Sequence, residues 1–550
     1  MSGGNGWLVA VSVLVLVSVL GSGVADAATP EPVPQGALRE AQDNSGATPL
    51  TLDEMGPAMN AELTAQGFET AGGYFDILDV TDCPAIIPVM GMCYAMNPAA
   101  PYIMPAVQSW YDEFVDPATE LAFGPVRAGH SFIFRLDPRE AIVVFAELPP
   151  PARYLGAQTY LFTRHGSIDT TNARYAFVTT YTPSVKDVFF RLSPNAERMM
   201  LFGSVSNSIN NVVIAEQSGS SFGQQRIFII TPDQYMDRTI RSSLEATGVL
   251  STTIFTEPIS SFAQLGLGEE ADDFIYVMRY AMPEDPALAD EWRETLPLMV
   301  MRVRDRDLAR APEPYPADFE PEPRTANSEV GLMEDLDRLN DAVRAHWGLS
   351  PLSRADSTIL NHFLELQRPD TMDLIGPHCA ENTMHCVGDT QDTNYSYSTY
   401  LPLERGVLNA LVGTLGTETG NATYVGLGLT RKEDLVGFAN VDDTQLKGTA
   451  AGYADGIIAD PDKFFVWYVG RDCSRVSGTN CTEVSEANIP YGGTLRMSIR
   501  NYIVPGSRRG PDTLPSGPGG PSPIVAPWSN VIPGPQYLPI VVSDAVMESE

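Results

Sequence analysis

The chain has 550 residues and carries 35 Lys plus Arg against 69 Asp plus Glu, a formal charge of −34. An apolar fraction of 43% and an aromatic fraction of 9% belong to folded globular material and exclude a disordered chain. The acid excess excludes a nucleic-acid binder and a protein that docks on anionic lipid, because both need clustered Lys and Arg.

At the N-terminus, Trp7 to Leu20 form an apolar run, and Ala25-Asp26-Ala27 follows with the small-x-small pattern of a signal-peptidase site. This predicts a signal peptide over residues 1–27. An uncleaved anchor is the alternative, since no Lys or Arg precedes the run. Residues 28–50 read as a flexible leader. No later stretch approaches a membrane span, so the mature chain is expected to be secreted, or periplasmic in a bacterium.

Between 51 and 310, segments of strand and helix character alternate. Ser131–Arg135, Ala141–Ala146 and Tyr154–Thr163 read as strands, as does Asn211–Glu216 with its Val-Val-Ile core. Arg226–Thr231 is a short buried-type strand. Pro232-Asp233 then opens an amphipathic helix over Gln234–Ala246, closed by Gly248, and Thr252–Thr256 returns as a strand. Phe274–Arg279, a helix near Ala287–Glu294, and Leu298–Val303 repeat the alternation.

Residues 311–326 are rich in Pro and acid, which forbids helix and predicts an extended spacer or surface crossing. A second domain is expected over 327–504. It opens with a helix over Glu329–Trp347, whose Leu332, Leu336, Leu339 and Val343 share a face. Thr423–Leu429, Lys463–Val469 and Thr494–Val504 are its best strands. Residues 505–550 form a Pro/Gly-rich tail whose last apolar run, Tyr537–Val542, is expected to dock as an edge element. The fold class is therefore α+β or mixed α/β, in two regions with mixed sheets and flanking helices.

The six cysteines fall as close pairs, Cys83 with Cys93, Cys379 with Cys386 and Cys473 with Cys481. Each pair brackets a short segment able to close on itself, so neighbour pairing into three local disulfides is expected, as suits an exported chain. None of the spacings is that of a zinc site. Sequons place candidate glycosylation at Asn394, Asn421 and Asn480.

Few residues offer chemistry. Gly219-Ser-Ser-Phe-Gly223 matches the nucleophile-elbow pattern with Ser221 in the reactive position, His130 or His165 being candidate bases. That motif needs a strand leading in and a helix leading out. Here strands are expected on both sides, and a hairpin loop competes. His378 and His385 flank the central cysteine pair, and Asp389, Asp392 and Asn394 follow within a Gly-led loop. Their oxygens suit a hard cation such as calcium, although the spacing is not that of an EF-hand, and an Asx-rich turn competes. Met90-Gly-Met-Cys-Tyr-Ala-Met96 reads as packing rather than as a copper site. Phosphate loops and dinucleotide fingerprints are absent.

Two functions follow. The first is a secreted or cell-surface protein with a binding or structural role, calcium-assisted, whose partner is a small molecule, glycan or protein. The second is a secreted hydrolase using Ser221 with a histidine, or the Asp389, Asp392 and His385 neighbourhood.

Overall fold

The computed structural model describes residues 50–181, 186–315, 319–352, 364–365, 374–398, 400–512, 525 and 527–534. The expected signal peptide, nearly all of the leader and the Tyr537–Val542 run lie outside the described residues.

Eleven strands precede the Pro-rich segment: β1 Phe68–Leu78, β2 Tyr102–Gln108, β3 His130–Ser131, β4 Glu140–Glu147, β5 Ala152–His165, β6 Arg198–Ser204, β7 Ile209–Asn210, β8 Gln225–Thr231, β9 Ile254–Pro258, β10 Asp273–Pro283 and β11 Leu298–Asp305. They form one sheet in the order β6-β5-β10-β2-β1-β11-β4-β8-β9, with β3 on β2 and β7 on β5. The pivot is β1. Its first half, Phe68–Gly72, pairs with β11, and its second half, Gly73–Leu78, with β2. Glycine is required at the changeover, because a Cβ on Gly73 would stand 2.5 Å from the Ala106 carbonyl oxygen and 2.6 Å from Val300.

The strip curls around a core drawn from nearly all its strands, including Phe75, Ile103, Val144, Leu161, Phe228 and Phe274. Its two ends approach each other without pairing: Glu257 of β9 accepts hydrogen bonds from the Thr159 backbone N–H and hydroxyl of β5 at 2.6 and 2.8 Å. On the other face, the helices Leu52–Ala65 and Gln234–Ala246 cover a second core.

The β8–helix–β9 unit forms as expected, and β8 and β9 are parallel. Asp233 caps the helix by accepting from Tyr235 N. Two expectations fail here. Ser131–Arg135 keeps only His130–Ser131 in the ladder, plus a single bridge from Phe134 to Phe274. Asn211–Glu216 is helical, within Asn211–Ser218. The Asn210 side chain accepts from Val212 N and Val213 N, and Gly219 ends the helix at φ 81°. Capping at both ends outweighs the β preference of Val-Val-Ile.

Beyond the Pro-rich segment lie β12 Leu364–Glu365, β13 Thr393–Tyr397, β14 Leu401–Pro402, β15 Leu408–Thr414, β16 Tyr424–Arg431, β17 Gly437–Asp442, β18 Phe464–Gly470, β19 Cys481–Glu483, β20 Thr494–Tyr502 and β21 Trp528–Ile532. A second sheet runs β12-β13-β20-β16-β17, with β14 on β20, and a third runs β19-β18-β15-β21. Leu411, Phe465 and Trp467 of the third sheet share a core with Leu427, Met497 and Ile499 of the second. The helix Met333–His346 closes the outer side of the third sheet through Leu336, Leu339 and Val343.

The fold is thus a mixed α and β architecture of several sheets with flanking helices. All three neighbour disulfides, Cys83–Cys93, Cys379–Cys386 and Cys473–Cys481, are formed. Among the described residues no helix is long and apolar enough to cross a membrane.

Candidate functional site

The stapled loop that the sequence singles out adds itself to the β6 edge of the first sheet. His385 N donates to Phe189 O, Cys386 N to Leu201 O and Gly388 N to Phe202 O, at 2.6–2.9 Å. Close approach is possible because Gly376 lies against Gly203, where a Cβ would stand 2.9 Å from the Gly376 Cα. His385 is buried in this joint. Its Nδ1 accepts from Val387 N at 3.0 Å, its Nε2 has no partner among the described residues, and Phe202 lies edge-on to its ring. Burial and the nearby Arg191 guanidinium push its pKa down to about 3, which makes it a poor proton acceptor near neutrality.

Asp389 and Asp392 are buried at the junction of the first and second sheets. Asp389 accepts from Ser204 N at 2.9 Å and Ser204 Oγ at 2.5 Å, and burial raises its pKa to about 7. Asp392 accepts from Ser208 Oγ at 2.6 Å, Asn210 Nδ2 at 2.7 Å and Tyr154 Oη at 3.0 Å, with Arg509 at 3.7 Å. Asn394 is fully buried and neither atom of its amide is partnered. A cation bound here would have to displace the protein donors that hold both carboxyl groups. Among the described residues, His, Cys, Asp and Glu side chains nowhere gather in threes as a metal site requires.

Next to Asp392, at the seam where the curled sheet fails to close, lies a cavity of about 360 Å³. One wall is the β6–β7 link with Ser206, Asn207 and Ser208. Facing it are Thr256, Pro258 and Ser260 from β9 and beyond. The Pro-rich segment forms the lid with Tyr315, Phe319, Glu320 and Glu322, and Arg509 closes the floor. The described residues on either side of 316–318 are hydrogen-bonded to the surface. Glu313 N donates to Asp233, Glu322 N to Asn207 Oδ1, and Arg324 to the carbonyl oxygens of Thr390 and Thr393.

The wall hydroxyls share one orientation. Ser206 donates to Glu257 at 2.6 Å, Ser208 to Asp392, Ser260 to the Val205 carbonyl at 2.8 Å and Thr256 to Asp237 at 2.6 Å. Thr256 Oγ1 also accepts from Arg241 at 2.7 Å, so the three serines, whose protons point into the protein, leave oxygen lone pairs as the free valence of the wall. The Tyr315 hydroxyl is buried without a partner. Behind the wall, Glu257 is 1% exposed and burial raises its pKa to about 7.

Ser221 sits elsewhere, in the half-buried turn between the helix Asn211–Ser218 and β8. Helix leads in and strand leads out, the reverse of an elbow. Among the described residues no hydrogen bond links it to a histidine; His130 caps the β2–β3 corner beside Tyr74, and His165 is exposed at the end of β5. The sequon asparagines are buried: Asn421 Nδ2 donates to Asn327 O and Glu329, and Asn480 Nδ2 to Val466 O. A glycan on either nitrogen would have to replace those bonds. The seam residues Ser206, Ser208, Glu257, Tyr315 and Arg509 escape sequence reasoning, since they come from four separate stretches. The one signal is Arg508-Arg509, a charged pair in an otherwise Pro/Gly-rich tail.

No protein-family model matches the chain, and no curated protein sequence matches it. Among solved structures it is similar to a protein from Vibrio parahaemolyticus, with a TM-score of 0.33 and 9% identity over 80% of this chain and 90% of that one. It is likewise similar to a putative uncharacterized protein from Burkholderia cenocepacia, with a TM-score of 0.33 and 9% identity over 88% and 87%.

Proposed function

We propose that the protein works in an oxidising compartment, exported from the cytoplasm, as a binding protein whose ligand occupies the seam cavity. The three disulfides support the compartment. The cavity wall carries the binding proposal: the hydroxyls of Ser206, Ser208 and Ser260 donate inward, so a ligand meets acceptors along it. Glu320 and Glu322 add carboxylates to the lid. A small, donor-rich molecule such as a polyol or an amine fits this chemistry, and the volume suits a ligand of sugar size.

Calorimetric titration with monosaccharides, polyols and polyamines tests the assignment. Binding that weakens at least about tenfold in Ser208→Val and Asn207→Ala is expected, given one or two lost hydrogen bonds. Binding unchanged in both variants would remove the cavity from consideration. Calcium assistance is tested on the same sample, and a melting temperature indifferent to millimolar calcium and to chelator would end it.

A second function, a hydrolase, rests on one contact: Ser206 Oγ in the cavity wall donates to Glu257 Oε1 at 2.6 Å, and that carboxyl is held near neutrality. A carboxylate can serve a serine as general base. Turnover of an ester or glycoside panel that disappears in Ser206→Ala and persists in Ser221→Ala would favour it over binding alone.

A further inference from the structure

Buried arginines in this protein are matched with carboxylates. Arg135 and Arg198 share Asp273 at 2.8 and 3.2 Å, and Arg302 lies 2.6 Å from both Glu113 and Glu140. Arg226 lacks a carboxylate but donates to three oxygens, those of Ser218, Ser220 and Gln225. Three arginines break the pattern. Arg279, Arg496 and Arg500 are 4–5% exposed, and among the described residues no carboxylate lies within ion-pair distance of any of them. Among the described residues, Arg279 makes one hydrogen bond, to Tyr160 Oη at 2.7 Å, and Arg500 makes one, to Ala95 O at 3.1 Å, leaving Arg500 Nη1 with no partner there. In a chain of charge −34, a shortage of acids is no explanation. Burying an unmatched guanidinium carries a large desolvation penalty, which an external counter-charge would offset.

All three belong to strands that border the layer between the first and second sheets. Arg496, Arg500 and Tyr502 alternate on one face of β20, and Arg500 is in register with Tyr395 of β13 and Gly426 of β16. That face meets β5, β10 and β2 of the first sheet, the joint being marked by Tyr154 against Tyr502 with centroids 4.6 Å apart. Arg279 comes from the opposite side, over the rings of Tyr102 and Tyr160. Arg496 lies 4.4 Å over Tyr397. Tyr395 is within electrostatic reach of both Arg279 and Arg500. The second sheet is hollowed at this point: the Arg500 guanidinium occupies the space a Cβ on Gly428 would take, and a Cβ on Gly426 would meet Asn440 Oδ1 at 2.8 Å. Asn440 Oδ1 is itself buried and unpartnered. A pocket of about 510 Å³, lined by Asp79, Asn97 and Arg293 and by none of these three arginines, lies beside the layer, and the Asn97 amide reaches the Tyr424 hydroxyl at 3.5 Å. The nearest acid, Asp389, is committed to Ser204.

We propose that the layer between the first and second sheets is a binding site for an organic carboxylate, held by the guanidinium groups of Arg279 and Arg500 among tyrosine rings. A carboxylate matches the planar fork of a guanidinium with two parallel hydrogen bonds. Its single delocalised charge is cheaper to desolvate than a phosphate dianion. The site is distinct from the seam cavity, whose wall is built of serine hydroxyls, and it stands or falls independently of the function proposed there.

The test is thermal melting of the full chain with acetate, benzoate, phosphate or sulfate at about 10 mM and matched sodium chloride. A carboxylate is expected to raise the melting temperature. Arg279→Met and Arg500→Met are expected to abolish that rise, and Arg500→Lys, which keeps the charge and loses the fork, to bind about tenfold more weakly. Arg304→Met, which removes an arginine outside the layer, should retain the full rise. The proposal is overturned if no carboxylate shifts the melt, if only phosphate and sulfate do, or if the rise survives in both methionine variants.

Discussion

Glu257 is where burial and charge conflict most plainly. It lies across the seam, accepting from Thr159 N, Thr159 Oγ1 and Ser206 Oγ at 2.6–2.8 Å, and burial lifts its pKa from 4.5 to about 7. The folded protein therefore keeps a proton that the unfolded chain releases above pH 4.5. By linkage, stability present below that pH is lost as pH rises, at about 1.4 kcal/mol per unit, until pH 7. The whole loss is about 3 kcal/mol. Glu257→Gln removes the titration while keeping one oxygen to accept from Thr159, at a cost of about 1 kcal/mol for the poorer hydrogen-bond match. The variant should be less stable than the parent at pH 4.5, equal to it at about pH 5, and more stable by about 2 kcal/mol at pH 8. Urea unfolding followed by tryptophan fluorescence at pH 4.5, 6, 7 and 8 reads this directly. Asp389 titrates in the same range but is present in both proteins and cancels. A constant offset between the two curves at every pH, or a variant weaker at pH 8, would refute the reasoning.

Other substitutions separate structural from functional roles. Asp389→Asn is expected to act in the same direction as Glu257→Gln, gaining stability relative to the parent above pH 7 and none below pH 4, by the same urea titrations. Asp392→Ala strands Tyr154, Ser208, Asn210 and Arg509, and should lower stability by about 3–5 kcal/mol at pH 7 with an unchanged denaturant slope. Replacing Cys379 and Cys386 together by Ser opens a small loop and should cost about 2–3 kcal/mol in the same measurement. Ser221→Ala, in a surface turn, should stay within about 0.5 kcal/mol of the parent.

Periodicity and capping made much of the architecture legible. The helix Gln234–Ala246 follows from Asp233 and its apolar stripe, and the helix ending at His346 from Leu336, Leu339 and Val343. Short spacing within each cysteine pair foretold all three disulfides. Asn211–Ser218 misled because Val-Val-Ile carries a strand preference, while the decisive contacts are two hydrogen bonds to the Asn210 side chain. Strand β1 was invisible for another reason. Its Gly-Gly centre and mixed polarity serve two partners on either side of a bend, so no single alternation runs through it. The loop from Asp389 to Asn394 stood out as a polar cluster, but its hydrogen-bond partners lie about 180 residues away at Ser204, Ser208 and Asn210. Local pattern cannot show such pairings. The unmatched arginines are the extreme case, since Arg279, Arg496 and Arg500 look ordinary until the carboxylates around them are sought.

The placing of β11 between β1 and β4 governs the order in which the chain can assemble. The first strand of the sheet waits for a neighbour that begins at Leu298. At about 5–20 residues per second, the roughly 220 residues between Leu78 and Leu298 take on the order of 10–45 s to synthesise. Throughout that interval β1, and β4 once it is made, present open hydrogen-bonding edges, so β1 and β2 pair without the rest of their sheet. Such a nascent chain is vulnerable to edge-to-edge aggregation until β11 arrives.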